Sequence, residues 1–539
     1  MFRLIWRTII ARRERTALLV LGVLIVSGAF GLLLATVETT KVTVNEDLAQ
    51  YWRTSYDILV RPPGSRSPIE EKYGLVEANH LSHLEGGITL EQYEAIEAIP
   101  GVEVAAPIAM LGYFNLVFHA PLEVSCEPGF YRLENTVVTD DGLRQYRTVG
   151  QEYFYCIESG GAFTHLYKSP QYNLLALMFS DVRPPDKAPW FERAVYRLPV
   201  LLAAIDPEQE SRLVALDRAI VDGEYLSDME GLASVGTQVA VRTGGDVTST
   251  SQVLPSGTTA DIPLILNARS YVSFTLQTEW QRIALPFSQE ALDQVAGEGG
   301  RDHLSGLSAE PLGRWVFDGQ EAYRAALVAL RDSGSRVTVN SLSALPTGLA
   351  YQEVPPPPGA SGPTLEAIPH GSSVSGGLVA IAMPLVAFDR EMLFREPGIG
   401  RGMGGDIPFV LQGVYDIERL PRPAAVSEVP LETYYPPHVV LRYDDADCLV
   451  DPVLLSPTFS DAGYITSPPL ALTTLKAGAW LSFKREAPIS AIRVRVADVD
   501  QFTSEAQTRI EAVAAEIIER TGLPVDITVG SSPRRVLVR

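Results

Sequence analysis

The chain has 539 residues, 46% hydrophobic and 20% charged, which excludes a disordered polymer and leaves ample apolar material for a core. The net charge of −21 argues against nucleic acid as a partner, because phosphate binding needs clustered Lys and Arg to release counterions.

The charge is unevenly placed. Residues 1–15 hold Arg3, Arg7, Arg12, Arg13 and Arg15 against Glu14 alone. A basic tip on an acidic body is a targeting pattern. Within this tip, Phe2, Ile5, Trp6, Ile9 and Ile10 share one helical face, which suits a short helix lying on the cytoplasmic leaflet.

Thr16 to Val37 is a run without a single charge. As a helix it spans roughly 33 Å, about the thickness of the hydrocarbon layer. It is longer than the apolar region of a cleaved signal peptide, and no A-x-A site follows it. The reading is one uncleaved transmembrane helix with Leu18, Leu21, Gly22, Leu24, Gly28, Gly31 and Leu34 in the bilayer. The three glycines are places where helices can approach closely. By the positive-inside rule the arginines hold the N-terminus in the cytoplasm, so everything after Val37 is extracytoplasmic.

Next come two strand–helix–strand patterns at opposite ends of the outer region. In the first, Tyr56–Val60 reads as a strand, Thr89–Ile99 as a helix and Val102–Ile108 as a strand. Thr89 and Gln92 make a capping box, and Pro100-Gly101 ends the helix. In the second, Ile492–Val496 alternates with period two, and a helix runs from Ser504 to Thr521 with Ser504 and Gln507 as its capping box. Its apolar stripe is Ile510, Val513, Ala514, Ile517 and Ile518. Gly522 stops it, and Val525–Val529 closes the unit.

The intervening stretch is β-rich, with short runs such as Val195–Ile205, Thr237–Arg242, Ile262–Leu266, Val337–Val339 and His438–Tyr443 between Pro and Gly. Helices are expected over Pro207–Val221 and over Gly319–Ser333, the latter with an apolar face of Ala322, Ala325, Ala326, Ala329 and Leu330. The tract Pro355–Pro358 followed by GASG reads as a surface linker.

The fold class expected is therefore α+β: a single N-terminal transmembrane helix, then a split βαβ domain with a large inserted β-rich domain. The segments are 1–15 interfacial, 16–38 spanning, 39–115 first half, 116–487 insertion and 488–539 second half.

Catalytic motifs are absent from the sequence. There is no G-x-x-x-x-G-K-[ST] phosphate loop and no G-x-S-x-G elbow, and Gly398–Gly405 (GIGRGMGG) reads as a loop. His80, His83 and Glu85 read as an exposed polar loop, and Asp444, Asp445, Asp447 and Asp451 as a solvated acidic turn. No enzyme activity, cofactor or metal is expected. Of the three cysteines, Cys126 and Cys156 are the better-placed pair for an extracytoplasmic disulfide, with Cys448 left over.

The basic start, with Arg12-Arg13-Glu14-Arg15-Thr16-Ala17-Leu18, then one span and a large outer part, resembles the MacB-like (FtsX-domain) permeases of ABC transporters. Gly86–Ile108, Pro199–Leu226 and Gly413–Leu420 also look like such permeases. The resemblance implies a split "porter" domain with an inserted β-rich part, pairing of permease chains as homo- or heterodimers, and a separate cytoplasmic ATPase. Such a protein passes ATP-driven motion to its outer domain for export or mechanotransmission. The family continues into three further spans. This chain ends at Arg539, soon after Gly530-Ser531-Ser532-Pro533, so the expectation is a permease subunit or its front part. The alternative is a single-pass anchored binding or scaffold protein with no transport role.

Overall fold

The computed structural model describes residues 55–539 except 78–79, 125–126, 157–162, 169–174, 180–189, 228–238, 244–245, 249–261, 289, 292–293, 296–299, 333, 361, 371–392, 397, 399, 421–432, 500–502 and 530–533. The five N-terminal arginines and the apolar run 16–37 lie outside the described residues. Among the described residues, no helix is long and apolar enough to cross a membrane.

The described chain opens with strand β1 (Ile58–Val60), helix α1 (Pro68–Tyr73), a 3-10 turn at His80–His83 and helix α2 (Leu90–Glu97). Strands β2 (Val102–Val124), β3 (Gly129–Asp140), β4 (Gln145–Cys156), β5 (Phe163–Lys168), β6 (Leu175–Phe179) and β7 (Trp190–Ile205) follow. Helix α3 (Pro207–Val214) and a 3-10 turn (Leu216–Ala219) lead to β8 (Ile220–Gly223), β9 (Val239–Thr243), β10 (Asp246–Thr248), β11 (Ile262–Asn267) and β12 (Ser273–Ile283). Then come α4 (Arg301–Gly306), β13 (Ala309–Asp318), α5 (Gly319–Asp332), β14 (Arg336–Ser343), β15 (Tyr351–Val354), β16 (Thr364–Ala367) and β17 (Gly400–Tyr415). The last elements are β18 (Val439–Tyr443), β19 (Leu449–Leu455), β20 (Ala471–Thr474), α6 (Leu475–Leu481), β21 (Ala491–Val496), α7 (Ser504–Thr521), β22 (Val525–Ile527) and β23 (Leu537–Val538). The class is mixed α+β.

The two terminal strand–helix–strand patterns meet in one sheet, in the order β2-β21-β1-β22. Strand β1 runs antiparallel to both β21 and β22, and β2 runs antiparallel to β21. Each unit therefore straddles a strand of the other, the split-βαβ arrangement. Alternation along the strands divides the side chains between two faces. Ile58, Val60, Ile492, Val494 and Val496 face Tyr93 and Ile96 of α2 and Ile510, Val513 and Ile517 of α7. Leu59, Val104, Ala106 and Ala491 face Leu81, Leu84, Leu213 and Leu216 on the other side. Both faces of the central strands are covered, so Ile58–Val60 is apolar throughout, and the charge at Arg493 in β21 is enclosed.

The sheet does not stop where the insertion was expected to begin. Strand β2 runs straight through position 115, with Asn115 opposite Pro199 of β7, and the sheet continues through β20, β11, β17, β9 and β10; with β8 and β14 paired off this path it has twelve strands among the described residues. A second, six-stranded antiparallel sheet has the order β13-β12-β3-β4-β5-β6. Its inner face packs through Trp280, stacked on Tyr131 at 4.8 Å, and through Tyr196 of β7, which meets Thr278. Two small sheets, β15-β16-β23 and the hairpin β18-β19, are the other sheets among the described residues.

Local signals held in several places. Thr89 caps α2 with both bonds of the capping box formed, and Gly522 ends α7 in the left-handed region at φ 67°. Others shifted. The cap of α7 is Thr503, whose hydroxyl accepts from Ala506 N. Gln507 turns instead to Glu511, so the box expected at Ser504 does not form. Extended backbone at Thr503 puts its hydroxyl within reach of the open N–H groups one residue early. Ile518 is half exposed and is not part of the buried stripe.

The helix expected over Pro207–Val221 ends at Val214, where Ala215 turns left-handed at φ 57°, and residues 220–223 instead join β17 as β8. On α5, Tyr323, Ala326 and Leu327 are buried while Ala325 and Ala329 are exposed, because the large side chains take the inner face. Most of the glycine run at 398–405 is not a loop: Gly400–Gly405 lie in β17, paired with β14 and β9. The Pro355–Pro358 tract is the connection within the β15-β16 hairpin.

Candidate functional site

A cleft of about 2390 Å³ opens on one side of the described residues. It lies where the loop after β1, the six-stranded sheet and both small sheets converge. Ligand pockets are usually about 300–1,000 Å³, so this space suits an extended or large ligand.

The floor is built from residues 64–77 and 80–84, with Arg61 beneath it. Arg61 is fully buried and holds α1 to β22. Its guanidinium donates to Glu70 through Nη1 at 3.0 Å and meets Asp526 at 2.6 Å through Nη2. Burial works against the Arg61 cation, but these two carboxylates outweigh it and hold the group charged. Ser67 starts α1 by accepting from Glu70 N, and Gly74 ends it at φ 64°.

Beside this stands a second buried group. Arg395, 2% exposed, lies 4.0 Å from Glu77 and donates to the Gly463 and Thr347 carbonyls. Tyr351 donates to Glu77 at 3.2 Å and touches the Tyr464 hydroxyl at 3.5 Å. Burial lowers the Arg395 pKa and raises that of Glu77, each opposed by the other's charge. Burial and the nearby Arg61 charge push His80 down to about 4, so it is neutral at neutral pH. Its Nε2 has no hydrogen-bond partner among the described residues. Asp461 is pushed up to about 6 by burial.

The histidine segment is thus not an exposed loop: His80, Leu81 and Ser82 are buried, and His83 Nε2 lies 2.9 Å from Thr466 Oγ1. Apolar Leu81 and Leu84 enter the core and carry the polar residues in with them.

Above the floor, Tyr435 and Tyr443 and the prolines Pro436, Pro437 and Pro452 give the cleft an aromatic and proline-lined side. The acidic turn behaves as a turn. Asp444 Oδ1 accepts from Ala446 N and Cys448 N, and Asp447 takes a two-pronged contact from Arg539 at 3.0 Å. Among the described residues, no group of three His, Cys, Asp or Glu is placed to hold a metal ion.

A separate buried centre joins the split unit to the intervening stretch. Glu210 of α3 is 0% exposed and Arg493 of β21 2% exposed. Arg493 Nη1 donates to Glu210 Oε1 at 2.9 Å, its Nη2 meets Oε2, and Tyr434 Oη donates to Oε1 at 2.7 Å. Burial opposes the Arg493 cation, but Glu210 overcomes it and the guanidinium stays charged.

None of the residues singled out for the membrane segment falls within the described residues, and neither does Cys126. Cys156 ends β4 opposite Gly129, and Cys448 is free and exposed. Sequence reasoning passed over Arg61, Glu210, Arg395 and Arg493. One signal was present: Arg493 sits at a face-alternating position inside the apolar strand IRVRV, where a charge needs a buried partner.

Comparison with protein-family models, curated proteins and solved structures returned no match.

Proposed function

We propose that this chain is a membrane permease subunit of an ABC transporter, or the front part of one. Its outer domain would receive ATP-driven motion from a separate cytoplasmic ATPase, for export or mechanotransmission. The observation that supports the reading is the adjacency of the two ends of the split unit. Ile58 registers with Ile527, Thr528 N donates to the Asp57 carbonyl at 2.9 Å, and Thr528 Oγ1 donates to the Tyr56 carbonyl at 2.9 Å. A domain levered by spans on both sides needs its entry and exit together, so that helix motion reaches one point of one sheet. The uncharged run Thr16–Val37 precedes that point, and the twelve-stranded sheet carries displacement from there into the rest of the domain.

The cleft favours a second reading, an anchored extracytoplasmic binding or scaffold protein. One experiment separates them. Exposed Cys448 is labelled in intact spheroplasts with a membrane-impermeant maleimide, and the tagged chain is then extracted in mild detergent. Labelling with a copurifying ATPase subunit supports the permease. Labelling without an ATPase leaves the anchored binding protein. Labelling only after lysis refutes both.

A further inference from the structure

Strand β16 is flanked by β15 on one edge and on the other by β23, which consists of Leu537 and Val538. The parallel pairing sets Thr364 beside Leu537 and Leu365 beside Val538. Arg539 N donates to the Leu365 carbonyl at 2.8 Å, and Ala367 N donates to the Arg539 carbonyl at 3.0 Å.

The seat and its occupant are unlike in burial. Thr364, Leu365 and Ala367 are at most 5% exposed. No residue of 534–539 is buried, and Arg534, Arg535, Val538 and Arg539 are exposed. The segment is held by backbone bonds on one strand edge and by the exposed Arg539–Asp447 pair, a weak contact in water. If it leaves, the edge of β16 presents open N–H and C=O groups above apolar Leu365, which is a template for another strand.

Charge fixes the kind of strand. The segment reads Arg-Arg-Val-Leu-Val-Arg, and it lines the cleft together with Asp444, Asp445, Asp447, Asp141 and Asp526. The geometry points to a strand-addition site: the outer edge of β16 receives an extended, basic segment of a partner protein, and residues 534–539 occupy that edge in its absence. Main-chain hydrogen bonds supply the affinity, and Asp447 selects an arginine two positions after the residue beside Thr364. The cleft beside the strand has room for the flanking residues of a longer segment.

The test uses the full chain in detergent micelles and a fluorescent, acetylated hexapeptide Arg-Arg-Val-Leu-Val-Arg, followed by fluorescence anisotropy. Arg539→Pro removes both the N–H donated to Leu365 and the ion pair, so it opens the edge. Arg539→Glu keeps the N–H but reverses the pairing charge, and serves as a second opening variant. Each is checked by thermal melting for a retained fold. The expected result is at least tenfold tighter peptide binding by the opened variants than by the wild type. Adding Asp447→Asn should reverse part of that gain, up to about fivefold. A control peptide with proline in place of leucine should bind at least tenfold more weakly, since it cannot complete the ladder. Binding no tighter in the folded, opened variants than in wild type overturns the proposal. So does equal binding of the proline peptide, which would mean charge attraction alone.

Discussion

Replacing Arg493 with methionine should cost the protein about 3–5 kcal/mol, the range for breaking a buried ion pair by removing one partner. The figure follows from what remains. Glu210 is fully enclosed and takes two contacts from Arg493 and one from Tyr434 at 2.7 Å. After the substitution a single neutral hydroxyl faces a buried carboxylate, and the lost hydration is not replaced. Changing all three together, Arg493→Met with Glu210→Leu and Tyr434→Phe, removes every charge and hydroxyl at once and should return stability to within about 2 kcal/mol of wild type. Urea unfolding of the full chain in micelles, followed by tryptophan fluorescence, measures each variant. A single variant that loses less than about 1 kcal/mol would refute the reasoning. So would a triple variant as damaged as the single one, which would mean that shape, not charge, sets the cost.

Further outcomes follow from single positions. Gly112 sits at φ 116° on a bulge of β2, where a Cβ would come within 1.9 Å of the Ser343 carbonyl oxygen. Gly112→Ala should therefore destabilise by about 3 kcal/mol or more, seen as a lowered melting temperature. Thr89→Ala removes the capping box of α2 and should cost about 1 kcal/mol, with hydrogen exchange rising first in residues 90–93. Asp461, ordinarily at 3.8, titrates near 6 in the fold. A raised folded value means its contribution is complete below about pH 4 and lost as pH rises towards 6, about 3 kcal/mol in all. His80, lowered from 6.5 to about 4, acts oppositely: its contribution is present above pH 6.5 and lost as pH falls towards 4. The two partly cancel in wild type, so Asp461→Asn should gain stability relative to wild type between pH 4 and 6. A pH-independent difference would contradict the assignment.

Several elements were legible because their signals are local. A hydroxyl that reaches back to a free N–H, a glycine that accepts positive φ and a stripe with helical period depend on neighbours within a few residues. That is why α7 was found over Ser504–Thr521, α2 at its capped start and β21 within one residue. The errors were local signals overruled by packing. Ser504 lost the cap to Thr503, Ala325 and Ala329 gave way to Tyr323 and Leu327, and the glycine run at 400–405 joined a strand because β14 and β9 lie on either side of it.

By itself the sequence determined the composition of the parts: an acidic, β-rich chain, an uncharged run of spanning length at its start, and two strand–helix–strand units far apart. Only the tertiary structure decided how they join. The interleaving of β1 and β21 depends on pairing between residues more than 400 positions apart, which no window of sequence contains. The continuity of β2 through position 115 depends on a partner, β7, about eighty residues later. The buried charges are the clearest case. Arg61, Arg395 and Arg493 are ordinary arginines in the sequence, and each becomes a fixed, enclosed cation only because the fold brings Glu70, Glu77 or Glu210 to it. A side chain's charge is written in the chain, but its cost and its role depend on the dielectric and the partners around it, and those exist only after the chain has folded.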